Sequence, residues 1–170
     1  MKSLIAAAAF AALALATPAG AQVYATVGYT AVDVNPVNLG ALGGRVGYRI
    51  NPYVGVEAEA NFGVDDDKVD VLGVPVKVEL KRSVAAYAVG FWPATEKLDL
   101  FIRAGYGNVK IKASAFGVSA SGDDSGWNAG VGGQYFFTPK DGVRGEYTKY
   151  GLESNGVDAD TWSISYVRKF

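Results

Sequence analysis

The 170-residue sequence contains no cysteine and no histidine. Without cysteine there is no disulfide, no thiolate nucleophile and no sulfur-rich metal site. Such a chain suits an oxidising compartment only if its fold needs no covalent staple, and a closed β-barrel needs none. Without histidine the usual general base near neutral pH and the commonest metal ligand are both missing. Charge of one sign is lacking too: the formal net charge is −1, with no Lys/Arg stripe, so composition implies no polyanion or nucleic-acid partner. Beyond residue 21 there is no apolar run long enough to cross a bilayer as a helix, and no 3.6-residue periodicity.

The amino terminus is of a different kind. Lys2 precedes an apolar stretch from Leu4 to Ala16, too short for a membrane-spanning helix; Thr17 and Pro18 break it, and Ala19-Gly20-Ala21 supplies small residues. This is the layout of a cleavable export signal over residues 1–21, with a mature domain over 22–170 beginning at Gln22.

From Val23 onward the pattern is period-two alternation, closed by turn residues roughly every ten positions. It predicts strands at 23–32, 39–50, 53–64, 78–92, 98–112, 126–137, 142–152 and 160–170. Connections of two kinds alternate between them. Asn51-Pro52, Pro93 to Lys97 and Thr138-Pro139-Lys140-Asp141 are tight and each holds a proline, which pre-sets φ and cannot donate to a ladder. The other connections, 33–38, 65–77, 113–125 and 152–159, are longer or more polar. Strands of this length, with short turns at one end and long loops at the other, predict an all-β fold: an eight-stranded antiparallel up-and-down transmembrane barrel with its short turns facing the periplasm.

Faces can be sorted on most strands. Leu42, Val46, Tyr48 and Ile50 oppose Arg45 and Arg49; Val54, Val56, Ala58, Ala60, Phe62 and Val64 oppose Glu57, Glu59 and Asn61. A turn over Asn51 to Tyr53 sets Arg45 against Glu59. Trp127, Val131, Tyr135 and Phe137 oppose Asn128 and Gln134; Val143 and Tyr147 oppose Arg144, Glu146 and Thr148; Trp162, Ile164, Tyr166 and Phe170 oppose Ser163, Ser165 and Lys169. One face is thus long and apolar with aromatics near the strand ends, as lipid contact requires. The other mixes Gly, Ala and Ser with Arg and Glu, as a narrow lumen requires. The fourth strand resists sorting, because Ala85, Tyr87, Val89 and Phe91 leave both of its faces apolar.

The stretch from Trp92 to Gly105, with its Pro93 turn and Leu98-Asp99-Leu100-Phe101-Ile102-Arg103, resembles the transmembrane barrel of the OmpA family. So does Gly132 to Tyr147, with its Thr-Pro turn and Arg144-Gly145-Glu146-Tyr147. The likeness extends over the mature chain and also takes in small OmpX-like porin-family barrels. It implies a lumen plugged by an internal ion-pair network, in which Arg103, Arg144 and Glu146 match family members, while Gln134 stands where the family has an acid. The carboxy terminus resembles the signal read by the barrel-assembly machinery, with Trp162, Ile164, Tyr166 and Phe170 alternating toward the final aromatic; Arg168 departs from that pattern.

The remaining charge clusters read as structural. Asp65-Asp66-Asp67 with Asp70 lacks the spacing of a calcium loop and reads as a solvated loop tip, as does Asp123-Asp124. Glu57 with Glu59 lies beside arginines on one strand face, as a neutralised cluster does, unlike a glycosidase pair. Arg45, Arg49, Glu57, Glu59, Arg103, Arg144 and Glu146 are therefore expected to pair across the lumen and fill it. Alternating valines over 69–80 suggest a hairpin beyond the barrel with an open β edge. The expectation is an integral outer-membrane protein with a structural or surface-interaction role; the alternative is a narrow channel for ions or small solutes. No catalytic residue, metal or cofactor is expected. The expected partners are outer-membrane lipids including lipopolysaccharide, the assembly machinery, and a ligand at the loops.

Overall fold

The computed structural model describes residues 22–34, 37–71, 74–115, 118–151 and 158–170. Nine strands follow one another without a helix among the described residues: β1 (Gln22–Val34), β2 (Val37–Asn51), β3 (Val54–Gly63), β4 (Asp66–Val71), β5 (Val74–Pro93), β6 (Leu98–Ala115), β7 (Val118–Phe136), β8 (Asp141–Gly151) and β9 (Asp158–Lys169). Strands consecutive in the chain pair antiparallel except β3 and β4, β1 pairs with β9, and β3 pairs with β5 to close the ring. The wall is therefore an eight-stranded barrel, with β4 added beyond the rim. Closure leaves the wall without an edge and satisfies every ladder internally, as a lipid-embedded sheet requires.

Residues that alternate in sequence alternate between lipid and lumen. The outer face carries Val27, Leu42, Val46, Val56, Ile102, Val131 and Ile164, all exposed on the isolated chain. At the short-turn end this band is bounded by Tyr53, Trp92, Tyr135, Phe137, Tyr166 and Phe170, and at the other by Tyr29, Phe62, Tyr106, Trp127 and Trp162. Tyr106 meets Trp127 edge-on at 5.5 Å, and Tyr147 lies 4.8 Å from Trp162. Tyr53 and Phe62 are nine residues apart on one rising segment. At about 3.3 Å per residue and a tilt near 40° that is roughly 23 Å of height, against an apolar band about 25 Å tall.

The three short turns share one device. Asn51 Oδ1 accepts from the amides of Tyr53 and Val54, Thr95 Oγ1 from those of Lys97 and Leu98, and Thr138 Oγ1 from those of Lys140 and Asp141. A short polar side chain thus satisfies turn amides that no strand partner reaches.

At the far end the strands run longer than expected. The segments read as loops at 33–38 and 113–125 are mostly ladder: β1–β2 pairing continues to Val34 and Val37, and β6–β7 pairing to Ala115 and Val118. In place of a loop at 65–77, β4 and the start of β5 form a hairpin with Val71 opposite Val74. Small and polar residues such as Ser119, Ala120 and Ser121 give little local strand signal, but once two strands are in register the ladder extends wherever both backbones can reach. The fourth barrel strand, β5, is now oriented. Tyr87, Val89 and Phe91 point inward, while Val84, Ala86, Ala88 and Trp92 face lipid.

Candidate functional site

The lumen is built around two facts of the strand ladder. The register sets Arg45 of β2 opposite Glu59 of β3, and Gly47 opposite Glu57. Across the barrel, β8 presents Arg144 and Glu146 on one face, and β6 presents Arg103. All seven charged residues assigned to the lumen point inward and are buried.

Six of the seven form one cluster. Arg45 Nε donates to Glu59 at 2.5 Å, and its terminal nitrogens grip Glu146 at 2.5 and 2.8 Å. Arg103 reaches Glu59 at 2.7 Å and Glu146 at 2.6 Å, and donates to Thr148 Oγ1 at 2.7 Å. Arg144 binds Glu57 at 2.5 and 3.2 Å and Glu146 at 3.0 Å. Glu146 thus touches all three guanidiniums. The remaining acceptor capacity is met by hydroxyls and an amide: Tyr24 donates to Glu57 at 2.6 Å, Tyr150 to Glu59 at 3.0 Å, and Asn61 to Glu59 at 2.7 Å. Three cations and three anions cancel, so burial leaves no net charge to solvate.

The seventh residue, Arg49, stands apart near the short turns. It pairs at 2.7 Å with Asp99, a residue not singled out from the sequence, and holds the Pro52 carbonyl at 2.6 Å. Gln134 donates to the same Asp99 carboxylate at 2.9 Å. The acid that the family resemblance places at Gln134 is therefore present one strand over, since Asp99 and Gln134 are register partners.

Aromatic rings complete the packing. Phe91 lies 4.2 Å from the Arg49 guanidinium carbon, Tyr87 4.0 Å from that of Arg103, Phe101 3.8 Å from that of Arg144, and Phe136 3.6 Å from the Lys169 ammonium. The rings come from β5, β6 and β7, the charged groups they meet mostly from other strands. Glycines make room: a Cβ at Gly47 would fall 2.1 Å from the Tyr24 ring, and one at Gly132 2.5 Å from the Phe101 ring. The sequence signal for this wall was the doubly apolar β5, which reads as cation-facing only once the arginines are placed.

Above the ion cluster, Leu39, Ala41 and Leu80 pack with Val32, Val109 and Ile111, leaving a space of only about 40 Å³ over Asn61, Ser83 and Tyr150. Along β1 and β2, the groove lined by Thr26, Gly28, Gly43, Gly44 and Arg45 has no room for a water molecule. Among the described residues no cluster of carboxylates could hold a metal ion. Asp65 accepts from the Tyr29 hydroxyl at 3.0 Å; the side chains of Asp66, Asp67 and Asp70 lie outside the described residues, as do the segment 1–21 and most of 152–159. Trp162, Ile164, Tyr166 and Phe170 all lie on the lipid face, and Arg168 is held by Asp141 at 2.9 Å.

Closed wall, apolar belt between two aromatic rims and an ion-paired interior define a small transmembrane β-barrel. The chain belongs to the outer membrane protein β-barrel domain family, whose model matches residues 3–170, and it is an integral protein of the outer membrane. Its fold is similar to that of Ail, the attachment invasion locus protein of Yersinia pestis, solved in complex with the heparin analogue sucrose octasulfate (22% identity, 89% of this chain and 99% of that one, TM-score 0.65). It is also similar to the outer membrane protein OprG of Pseudomonas aeruginosa (12% identity, 89% and 96% covered, TM-score 0.64) and to Neisserial surface protein A (16% identity, 89% and 97% covered, TM-score 0.57). No curated protein sequence matches the chain.

Proposed function

We propose that this barrel works in the envelope as a structural and surface-contact protein, and that its lumen does not conduct. The observation that carries the reading is the Arg45, Arg103, Arg144, Glu57, Glu59, Glu146 cluster, in which every charge is paired within the barrel. An ion entering would have to displace contacts that leave a buried partner uncompensated. The apolar collar above it opposes a water column as well. Activity then resides on the outside, where the β4–β5 hairpin projects past the rim. Among the described residues β4 ladders only with β5, and it comes near β2; the part of its other edge that no strand pairs is where this reading puts strand addition by an extracellular protein. The similarity to an attachment protein supports a surface role.

The test is conductance of the purified barrel in a planar bilayer: silence is expected, and discrete steps that change on Arg144→Ala or Glu59→Ala would instead establish the narrow channel. Deletion of residues 66–76 should reduce binding of cells or host proteins, and unchanged binding would end the edge-strand reading. Catalysis forms no part of the proposal, and activity on lipid A substrates would overturn that. We also infer that residues 1–21 are removed on export and that Trp162, Ile164, Tyr166 and Phe170 engage the assembly machinery. Amino-terminal sequencing of the outer-membrane form should begin at Gln22, and Phe170→Ala should lower the assembled fraction.

A further inference from the structure

Lipid-facing strands gain nothing from opposed like charges, yet β5 and β6 set Arg82 directly opposite Lys110. Facing cations in a ladder repel and destabilise unless something anionic sits between or above them. A register irregularity between Leu80 and Arg82 adds to this: Lys81 and Arg82, consecutive in sequence, are both exposed. An extra residue in one strand re-aims side chains in just this way.

Among the described side chains, two outward acids stand near the group. Glu79 is taken up by Lys77 at 2.8 Å and Lys81 at 2.5 Å, and Asp123 reaches Lys110 at 3.4 Å. Arg82 and Lys112 have no ion pair among the described residues. Among the described side chains, five outward cations thus stand with two outward carboxylates on one side of the barrel, although the chain as a whole is almost neutral.

The height of the group identifies the partner. On the β3 side, the outward positions following the Asn61–Ser83 pair are Phe62 and Arg82, so Arg82 stands beside a ring of the upper aromatic belt. On the β6 side, Lys110 follows Tyr106 by two outward positions, about 10 Å of rise at the strand tilt. Aromatic belts mark the headgroup boundary. The cations therefore stand where the phosphate groups of outer-leaflet lipid begin. A guanidinium fork and neighbouring ammonium groups are suited to phosphate oxygens.

We propose that Lys81, Arg82, Lys110 and Lys112 form a docking site for the phosphates of a glycolipid headgroup in the membrane around the barrel. This rests on the lipid-embedded orientation described above. It goes beyond that orientation in naming one side of the barrel, β5–β6, and one chemistry. A lipid held there packs its acyl chains on the small outward residues Ala86, Ala88 and Ala104 below.

The experiment places the purified, full-length barrel in phosphatidylcholine nanodiscs doped with lipid A carrying two phosphates, or with the same lipid after phosphate removal. Lipid retained by the protein is read by native mass spectrometry. The wild type is expected to prefer the phosphorylated lipid, and R82Q/K110Q should weaken that preference roughly tenfold or more, since each surface cation near an anionic headgroup contributes about a factor of five. K97Q/K140Q, which removes cations at the opposite rim, should leave it unchanged. K81Q/K112Q provides the same test should R82Q/K110Q fail to refold. Equal retention of the two lipids by the wild type, or full preference in both docking variants, overturns the proposal. So does capture of soluble heparin by the same residues without any phosphate-dependent lipid retention. Heat-modifiable migration on gels is checked for each protein: its loss in the wild type would count against the embedded barrel itself, whereas failure of the docking site shows only in the lipid preference.

Discussion

Arg103 lies with its guanidinium carbon 4.0 Å from the centre of the Tyr87 ring while its nitrogens bridge Glu59 and Glu146 on two other strands. One strand of the wall thus contributes no charge to the lumen and still holds the network, by covering the flat face of a cation whose edge is engaged by carboxylates. Away from water this stacking is worth about 2 kcal/mol. Replacing Tyr87 by Leu is expected to lower stability by about that amount, measured by urea unfolding in lipid vesicles. Tyr87→Phe keeps the ring and gives up only the hydroxyl contacts to Tyr150 and Asn128 at 3.3 and 3.4 Å, so it should cost less.

Arg144 and Glu57 are the most completely enclosed ion pair among the described residues. Arg144→Met strands a buried carboxylate and should cost about 3–5 kcal/mol, whereas Arg144→Met with Glu57→Met removes both charges and should recover much of the loss. A double-mutant cycle on unfolding free energies measures this, and a double variant no more stable than Arg144→Met alone would refute it.

Gln134 and Asp99 make an exchangeable arrangement. Gln134→Glu alone places a second carboxylate against Asp99 and should destabilise the periplasmic end of the barrel. Combined with Asp99→Asn it returns one acid and one amide to the neighbourhood of Arg49, and stability within about 1 kcal/mol of wild type is expected, a neutral hydrogen bond being worth that much. Unfolding midpoints of the three variants decide the matter.

Two glycines of β7 and β8 should respond in opposite ways. A side chain at Gly132 would meet the Phe101 ring at 2.5 Å and the Gly145 carbonyl at the same distance, whereas Gly145 has nothing within 4 Å. Gly132→Val should therefore displace Phe101 from Arg144 and cost about 1–3 kcal/mol by overpacking. Gly145→Ala should change stability by less than about 0.5 kcal/mol. Parallel unfolding curves provide the comparison.

Glu79 titrates outside the membrane. Hydrogen bonds from Lys77 and Lys81 pull its carboxyl down to about 2. Because the folded value is depressed, its stabilising effect is present above the ordinary carboxylate range and fades as pH falls toward 2. Carbon-detected NMR titration should place the midpoint near 2 in the wild type and closer to the usual value in Lys77→Gln/Lys81→Gln.

The sequence by itself determined the period-two wall, the proline turns and which face of most strands carries charge. Each of these is a local property: alternation of side chains follows from the strand backbone, and proline excludes itself from a ladder. It also placed Arg45 opposite Glu59, because a short turn of known length fixes the register of the strands it joins. Tertiary structure alone decided the rest. The inward orientation of Tyr87, Val89 and Phe91 depends on arginines more than ten residues distant, and rings that stack on cations look apolar in one dimension. Asp99 shares its strand with an apolar run and becomes a lumenal acid only beside Arg49 and Gln134. Ser119 to Ser121 have weak strand preference and are held by their β6 partners. The cationic group on β5 and β6 is invisible in a net charge of −1, because what makes it a group is a ladder that sets two positive strands side by side at the rim of the membrane.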